Sequence, residues 1–371
     1  MKQLPVVILG GGLWGSLLAY SLKKLRPEID FVLYEKEKSL GGNHTWCFHG
    51  KDIHEESFFL IKDLIEHSWD GHDVFFPEFI RSFTTPYHCL TSSGLDQKVR
   101  SLLEEKNLVL GSELNLTDAL ERSSFVIDAR GLNVNAPGGY QKFVGLEVEL
   151  EEPHNLIRPI LMDARIKQQD GFRFFYYLPF SKNRILVEDT RYSDDPKLDL
   201  PSYRSGILEQ IASRGWKLRK TIRHESGVLP LPFLSFTPPA TERVLNLSGI
   251  FQDTTGYSIV DAVRLIHELC LSPQFTFANL SRIERDYREK RERDRNFLRL
   301  LNLLLFKASV PQERYKVLQL FYKMPEKLVE RFYRGELHPW DKCRIFMGRP
   351  PVPINRACKV ILNHWLTPEV K

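Results

Sequence analysis

The chain has 371 residues, 52 lysines and arginines against 47 aspartates and glutamates, a net charge of +5, and a hydrophobic fraction of 42%. That is enough chain for a large core in one compound domain or in two domains. Basic residues are interleaved with acids, so no nucleic-acid partner is expected, and only weak attraction to an anionic membrane surface remains.

The first element is the apolar run Val6-Val7-Ile8-Leu9, which reads as a buried parallel strand. Gly10, Gly12 and Gly15 follow in G-x-G-x-x-G spacing, and an apolar helical pattern continues through Leu17, Leu18 and Leu22. Between a strand and a helix this spacing has a mechanical meaning. The first glycine makes the turn, the second lets a pyrophosphate approach the helix N-terminus, and the third lets helix and strand pack closely. Residues 5–22 are uncharged and lie behind a lysine, but the glycines divide them into strand and helix, so no leader or spanning segment is expected. A second strand, Phe31 to Tyr34, ends at Glu35, an acid placed to accept bonds from a ribose diol. The double glycine Gly41-Gly42 comes soon after that acid, a pattern that resembles the extended ADP-binding sequence of FAD proteins.

Further along, 54–69 reads as helical, 86–90 as strand or loop, and 95–105 as an amphipathic helix with Leu95, Val99, Leu102 and Leu103 inward. The strand 123–128 ends in Asp128-Ala129-Arg130-Gly131, where Asp128 and Gly131 are expected to return to the dinucleotide. Strands are expected at 145–150, 156–164, 172–179 and 184–190, with a hairpin at 180–183. Most aromatics of 172–180 read individually as sheet core. If 184–190 is regular, Leu186, Glu188 and Thr190 share one face while Val187 and Asp189 share the other. Val244 to Leu247 is another strand. The loop Thr254-Thr255-Gly256-Tyr257-Ser258 feeds a helix from about 259 to 271, so Thr255, Gly256 and Tyr257 are expected to hold an anionic cofactor edge. From 280 onward the chain reads as helical. The charged stretch 282–295 reads as a solvated face, and the apolar 297–306 as either a core helix or a segment that dips into a membrane.

The expected fold class is α/β: a discontinuous FAD-binding Rossmann-like domain with a β-rich substrate domain and a C-terminal helical region. The expected division is 1–140 and 226–275 for the FAD-binding parts, 141–225 for the β-rich domain, and 276–371 for the helical, membrane-facing region. The five cysteines are odd in number and form no C-x-x-C, which suits a reducing cytosol. Nothing has zinc-ligand spacing, and no metal is expected.

The chain resembles bacterial lycopene β-cyclases of the flavoprotein type. The matching segments are Gly41 to Trp46, Gln141 to Gly145, Arg158 to Ala164, Glu188-Asp189-Thr190, Thr254 to Ser258, Asp294 to Phe306, Arg331-Phe332-Tyr333 and Gly348 to Pro353, in the family's order. The chain departs from the family pattern at Gln252-Asp253, where His-Pro is usual, and at Cys47, where serine is common. The resemblance implies cyclisation of the ψ ends of lycopene to β rings, through γ-carotene to β-carotene. It implies no net redox change, dependence on reduced FAD, NAD(P)H as external reductant, and a peripheral position on the cytoplasmic side of the inner membrane. Glu188 matches the family's acidic residue needed for cyclisation. A carboxyl in an apolar pocket keeps its proton near neutral pH, so Glu188 is the candidate acid. Asp189 is expected to be structural, and His44 and Trp46 to lie near the cofactor or the substrate. Two alternatives are an FAD-dependent monooxygenase or polyprenyl reductase on an apolar substrate, and a non-catalytic isoprenoid carrier.

Overall fold

A computed structural model describes residues 4–131, 137–347 and 352–366. The glycine-rich segment folds as its spacing requires. Strand Val6–Leu9 is buried at every position, and three residues separate it from helix Leu13–Leu25. Val6–Leu9 is the centre of a five-stranded parallel sheet. Phe31–Glu35 and then Leu108–Leu110 lie on one side, and Val126–Asp128 and then Val244–Asn246 on the other. Strand order therefore reverses between Val6–Leu9 and Val126–Asp128, the crevice where open parallel sheets bind ligands. Helices Leu13–Leu25, Ser92–Leu102 and Ile259–Cys270 bury their apolar faces with this sheet in one core.

The second layer is a seven-stranded sheet. Its centre is Gly138–Leu150, Arg184–Ser193 and Phe172–Pro179, which pair antiparallel, with Leu218–Pro232 added on the Gly138–Leu150 side. The hairpin at 180–183 is present, since Pro179 pairs with Ile185. Alternation along 184–193 is regular. Val187 and Ile185 pack beneath helix Leu200–Ser213 with Phe175 and Tyr177, while Leu186 belongs to the core on the opposite face.

The sheet also recruits strands that the sequence reading did not place in it. Ile160–Asp163 pairs parallel with His72–Phe76, which forms a hairpin with Phe79–Phe83. The β-rich layer thus begins well before residue 141 and runs past 225, to Pro232. His72–Phe76 alternates buried and half-buried positions, a period-two signal hidden among histidines and aspartates. The helical expectation for 54–69 is also corrected. That stretch holds one short helix, Glu55–Phe58, a 3-10 turn, Lys62–Leu64, and a strand, His67–Trp69, which joins Tyr87–Thr91 and Thr45–His49 in a small third sheet.

The C-terminal region is helical from Phe277–Leu303 onward, and that helix continues into a π-helical turn, Leu304–Ala308. Leu298, Leu305 and Phe306 are buried, and Phe306 stacks on Tyr192 at 6.5 Å between ring centroids. The apolar stretch 297–306 is therefore built into the core. No helix among the described residues is long and apolar enough to cross a membrane. The charged stretch 282–295 is not simply a solvated face. Arg288, Arg291, Arg295 and Arg299 recur at helical spacing and turn inward. Arg288 donates to the carbonyls of Asn246 and Ser248, Arg291 pairs with Asp261, and Arg295 and Arg299 converge on the fully buried Asp253. Of the segments that carry the family resemblance, 348–351 lies outside the described residues.

Candidate active site

A cavity of about 1080 Å³ lies between the parallel sheet, the cavity face of the seven-stranded sheet and the C-terminal helices. Single small-ligand sites span roughly 300–1,000 Å³, so there is room for a dinucleotide and part of a second molecule.

One wall is made of backbone. Gly10, Gly12, Gly42 and Gly131 line the cavity, as does Glu35. A Cβ at Gly12 or Gly131 would meet no other described residue within 4 Å. Gly12 caps helix Leu13–Leu25 without any side-chain hydrogen bond, so the first-turn N–H groups point to the cavity unpaired by a cap. Gly15 is needed for a different reason. A Cβ there would lie 1.9 Å from the Gly10 carbonyl oxygen, so only glycine lets the helix sit this close to the turn. Glu35 accepts from the Gly11 N–H at 2.6 Å and from the Glu37 N–H at 2.9 Å, which fixes its carboxylate at the cavity edge. Asp128 is placed differently from the expectation. Its carboxylate is held by Arg130, with Nε at 2.9 Å and Nη2 at 2.7 Å, and it is Ala129, Arg130 and Gly131 that reach the cavity.

Thr255, Gly256 and Tyr257 line the cavity just before helix Ile259–Cys270, which also starts without a side-chain cap. Two uncapped helix N-termini therefore face one space, an arrangement that favours anions. The departure at Gln252-Asp253 is explained here. The Gln252 Oε1 accepts from the backbone N–H groups of Thr254 and Thr255 and from both hydroxyls, at 2.6–2.9 Å. Asp253 anchors the same loop to Arg295 and Arg299, and its carbonyl accepts from Asn302 at 2.7 Å. The inward arginines of the long helix thus hold the loop from behind. The backbone wall, with its open glycine positions, fixed acid and uncapped helix ends, fits an adenine dinucleotide such as FAD.

The opposite wall is made of side chains. Phe174, Tyr176, Leu186, Glu188, Thr190 and Tyr192 face the cavity from adjacent strands. Phe172, Phe175 and Tyr177 are sheet core as expected, the last two beneath helix Leu200–Ser213; Phe174 is also core but, like the partly buried Tyr176, borders the cavity as well. Asp189 also points away. It is fully buried between Arg173 and Arg191, at 2.7 and 2.9 Å, a structural pair. His44 and Trp46 both line the cavity, and burial holds the His44 imidazole below its usual range.

Glu188 is the titrating centre of this wall. Its carboxyl is pushed up to about 8, first by burial and then by the charge of Glu225, against a bond from the Thr190 hydroxyl at 2.5 Å. Glu225 has no local motif, and the sequence reading did not single it out. It arrives through register: Gly145 pairs with Glu188 on one side and with Glu225 on the other. Also unforeseen is a polar end formed by Tyr257, Asp52 and His49. The Asp52 Oδ2 accepts from the Tyr257 hydroxyl at 3.0 Å and lies 3.0 Å from His49 Nδ1. Two tyrosine pairs border it, Tyr87 with Tyr176 at 2.6 Å and Tyr322 with Tyr333 at 2.5 Å.

Known proteins resemble this chain in sequence and in fold. A family model described as "Lycopene cyclase protein" matches residues 5–359. A protein named lycopene beta-cyclase from Pseudescherichia vulneris is 37% identical, with 97% of each chain covered. Among solved structures, a geranylgeranyl bacteriochlorophyll reductase-like protein from Thermoplasma acidophilum aligns with a TM-score of 0.62 at 12% identity, covering 98% of this chain and 100% of that one. The flavin-dependent brominase Bmp2 aligns with a TM-score of 0.56 at 11% identity, covering 90% of this chain and 94% of that one. Likenesses this low in identity speak for the flavoenzyme fold alone, whereas the family match runs along nearly the whole sequence. The chain belongs to the lycopene cyclase protein family.

Proposed function

We propose that this protein is a lycopene β-cyclase that converts the acyclic ends of lycopene into β rings by acid–base chemistry. The observation that carries the reading is a carboxyl, Glu188, held neutral near pH 7 in an aromatic cavity that also contains a dinucleotide cradle. A hydrocarbon offers no hydrogen bonds, so apolar shape must position it. Phe174, Tyr176, Leu186 and Tyr192 supply that surface. Glu188 gives its proton to the terminal double bond, which leaves a tertiary cation. The next double bond closes on that cation to form a six-membered ring. Loss of a ring proton to a carboxylate then leaves the ring alkene, so no atom or electron is gained or lost. Aromatic faces stabilise the passing cation.

Gly10, Gly12, Gly42 and Gly131, with Glu35 at the edge, are the residues that would hold FAD, and Thr255, Gly256 and Tyr257 would hold its anionic rim. Reduced FAD, when bound, supplies negative charge beside the cationic substrate, and NAD(P)H is the expected reductant. Asp52 accepts from the Tyr257 hydroxyl and lies beside His49 Nδ1, so the Tyr257 side chain is held from the protein side.

The substrate is a membrane hydrocarbon, and the protein reaches it as a peripheral protein on the cytoplasmic face of the inner membrane. The burial of Leu298, Leu305 and Phe306 moves the contact surface away from 297–306. Trp340, Phe346, Met347, Ile354 and Leu362 are exposed instead, Trp340 by 72%, and Lys342, Arg344, Arg356 and Lys359 accompany them. Apolar side chains with basic neighbours suit an anionic bilayer surface.

The test is anaerobic turnover of lycopene in liposomes by the purified protein with reduced FAD. A cyclase forms β-carotene without consuming NAD(P)H in proportion to product. Stoichiometric consumption would contradict the reading and favour a flavin oxidoreductase on an apolar substrate.

A further inference from the structure

The mechanism above leaves one buried group beside Glu188 unused. Glu225 is 2% exposed and lies on strand Leu218–Pro232, two strands away from Glu188. The strand between them presents Gly145 at the shared register position. A Cβ at Gly145 would lie 3.0 Å from Glu225 Cγ, 3.3 Å from Glu225 Oε1 and 3.1 Å from Leu186 Cδ1. The Glu225 side chain therefore lies across the glycine, in the gap where any other residue would stand, and its Oε1 sits over that gap.

The bonds that fix Glu225 go to its other oxygen. Oε2 accepts from Arg223 Nη1 at 2.7 Å and from the Thr45 hydroxyl at 2.9 Å. Arg223 itself is held by Glu147 at 3.1 Å and donates to Thr45 at 2.7 Å. On Glu188 the Thr190 hydroxyl takes Oε1. The two carboxyls are thus each anchored by one oxygen and face the same cavity from either side of Gly145.

We propose that Glu225 is a positioning residue for cyclisation: its carboxylate, laid over Gly145 on the cavity face that also bears Glu188, opposes a second negative charge there and keeps Glu188 in the donor form. This rests on the proposed role of Glu188 as acid. Two buried carboxyls that face one cavity across a single glycine do not both ionise readily, so one stays protonated. Arg223 and Thr45 assign the charge to Glu225 and leave the proton to Glu188. The pair also closes the cycle. When Glu188 gives its proton to the alkene, two carboxylates stand side by side. Their repulsion raises the basicity of Glu188, which recovers the proton released from the ring cation. The bond formed to carbon is balanced by the C–H bond broken, and the dyad ends with the single proton it began with.

Other charged and titratable groups around the pair are accounted for. From its own strand, Asp189 faces the opposite side with Arg173 and Arg191. Glu147, on the central strand, is neutralised by Arg184 and Arg223. Tyr176 registers opposite Glu188, and burial holds its hydroxyl protonated. His44 and Cys47 approach from the segment that carries Thr45, and burial keeps His44 neutral.

The experiment is the pH profile of turnover at saturating lycopene, with FAD-loaded protein, for the native chain, Glu225→Gln, Glu225→Asp, Gly145→Ala and Glu188→Gln. The native profile falls as pH rises through the Glu188 carboxyl. Glu225→Gln removes the like charge and moves that alkaline limb down by about one unit. Glu225→Asp keeps the charge and restores the limb to near its native position. Gly145→Ala displaces Glu225 without removing it and moves the limb in the same direction as Glu225→Gln, which keeps the test open if Glu225→Gln does not hold flavin. An alkaline limb unchanged in both Glu225→Gln and Gly145→Ala overturns the proposal. Full activity in Glu188→Gln instead sinks the role of Glu188, whatever Glu225 does, so the two failures are distinct.

Discussion

The two walls of the cavity are built by opposite means. The dinucleotide wall is backbone: glycines, two uncapped helix ends and one acid fixed by neighbouring N–H groups. The acidic wall is side chain: Glu188 and Glu225 meet because three strands align about Gly145. The first is set mostly by what the chain lacks at a few positions, with its core in the short segment from Gly10 to Gly42. The second depends on pairings among residues far apart in sequence, and it fails if any strand slips by one residue. Binding and proton chemistry are therefore separable, and variants can remove one without the other.

The largest expected separation comes from Gly15→Val. Its branched side chain would start 1.9 Å from the Gly10 carbonyl oxygen, which forces the helix away from the turn. The purified variant is expected to carry no flavin absorbance and to have no activity. Retention of the flavin would show that the close helix approach is not needed for the cradle.

A second variant sharpens the acidic side through stability. Glu188 has its carboxyl raised in the folded protein from 4.5 to about 8, so the folded state binds that proton more tightly than the unfolded chain does. The stability it contributes is fully present below the unfolded value and is lost as pH rises through the folded one. Glu188→Gln cannot ionise. Its Tm relative to the native protein should therefore rise by a few degrees between about pH 5 and about pH 9. A difference that falls with pH would mean that the folded protein prefers the carboxylate.

A smaller effect is expected at the loop. Gln252→Ala removes the acceptor for two backbone N–H groups and two hydroxyls and should weaken FAD binding about tenfold, in line with a cost of about 1–3 kcal/mol for unpaired polar groups. The pH profile of turnover at saturating flavin should stay native. A shifted profile would tie the loop to the acidic wall.

The smallest chemical effect is expected outside both walls. Paired Trp340→Glu and Phe346→Glu changes should reduce sedimentation with anionic liposomes several-fold while detergent-solubilised turnover persists. Charging Leu301 and Leu304 should lower Tm instead, because both are partly buried and Leu301 packs against a core cluster. Loss of liposome binding from the leucine changes alone, in a protein with native Tm, would return the contact to 297–306.

The sequence disclosed the two walls unequally, for the same physical reason. Gly10, Gly12, Gly15 and Glu35 lie within one βαβ unit, so spacing alone placed them. Period-two alternation placed Glu188 and Asp189 on opposite faces of one strand. Glu188 stood out only through its family resemblance. Glu225 could not be read, because its neighbour Gly145 is 80 residues away in sequence and the link is a strand register. Asp128 stands back from the cavity because a strand-end acid two residues from an arginine can pair locally, as it does with Arg130. The arginines at 288, 291, 295 and 299 carried a legible helical stripe, but arginine on a charged helix reads as solvated until buried acids such as Asp253 are seen beneath it.

The central claim is that this cavity cyclises lycopene with Glu188 as proton donor. The most direct test is pigment chromatography of lycopene-accumulating bacterial cells that express the native chain or Glu188→Gln, with bound flavin measured on each purified protein. The account predicts β-carotene from the native chain, and persistent lycopene from the variant with its flavin still bound. Lycopene left untouched by a folded, flavin-loaded native chain would contradict it.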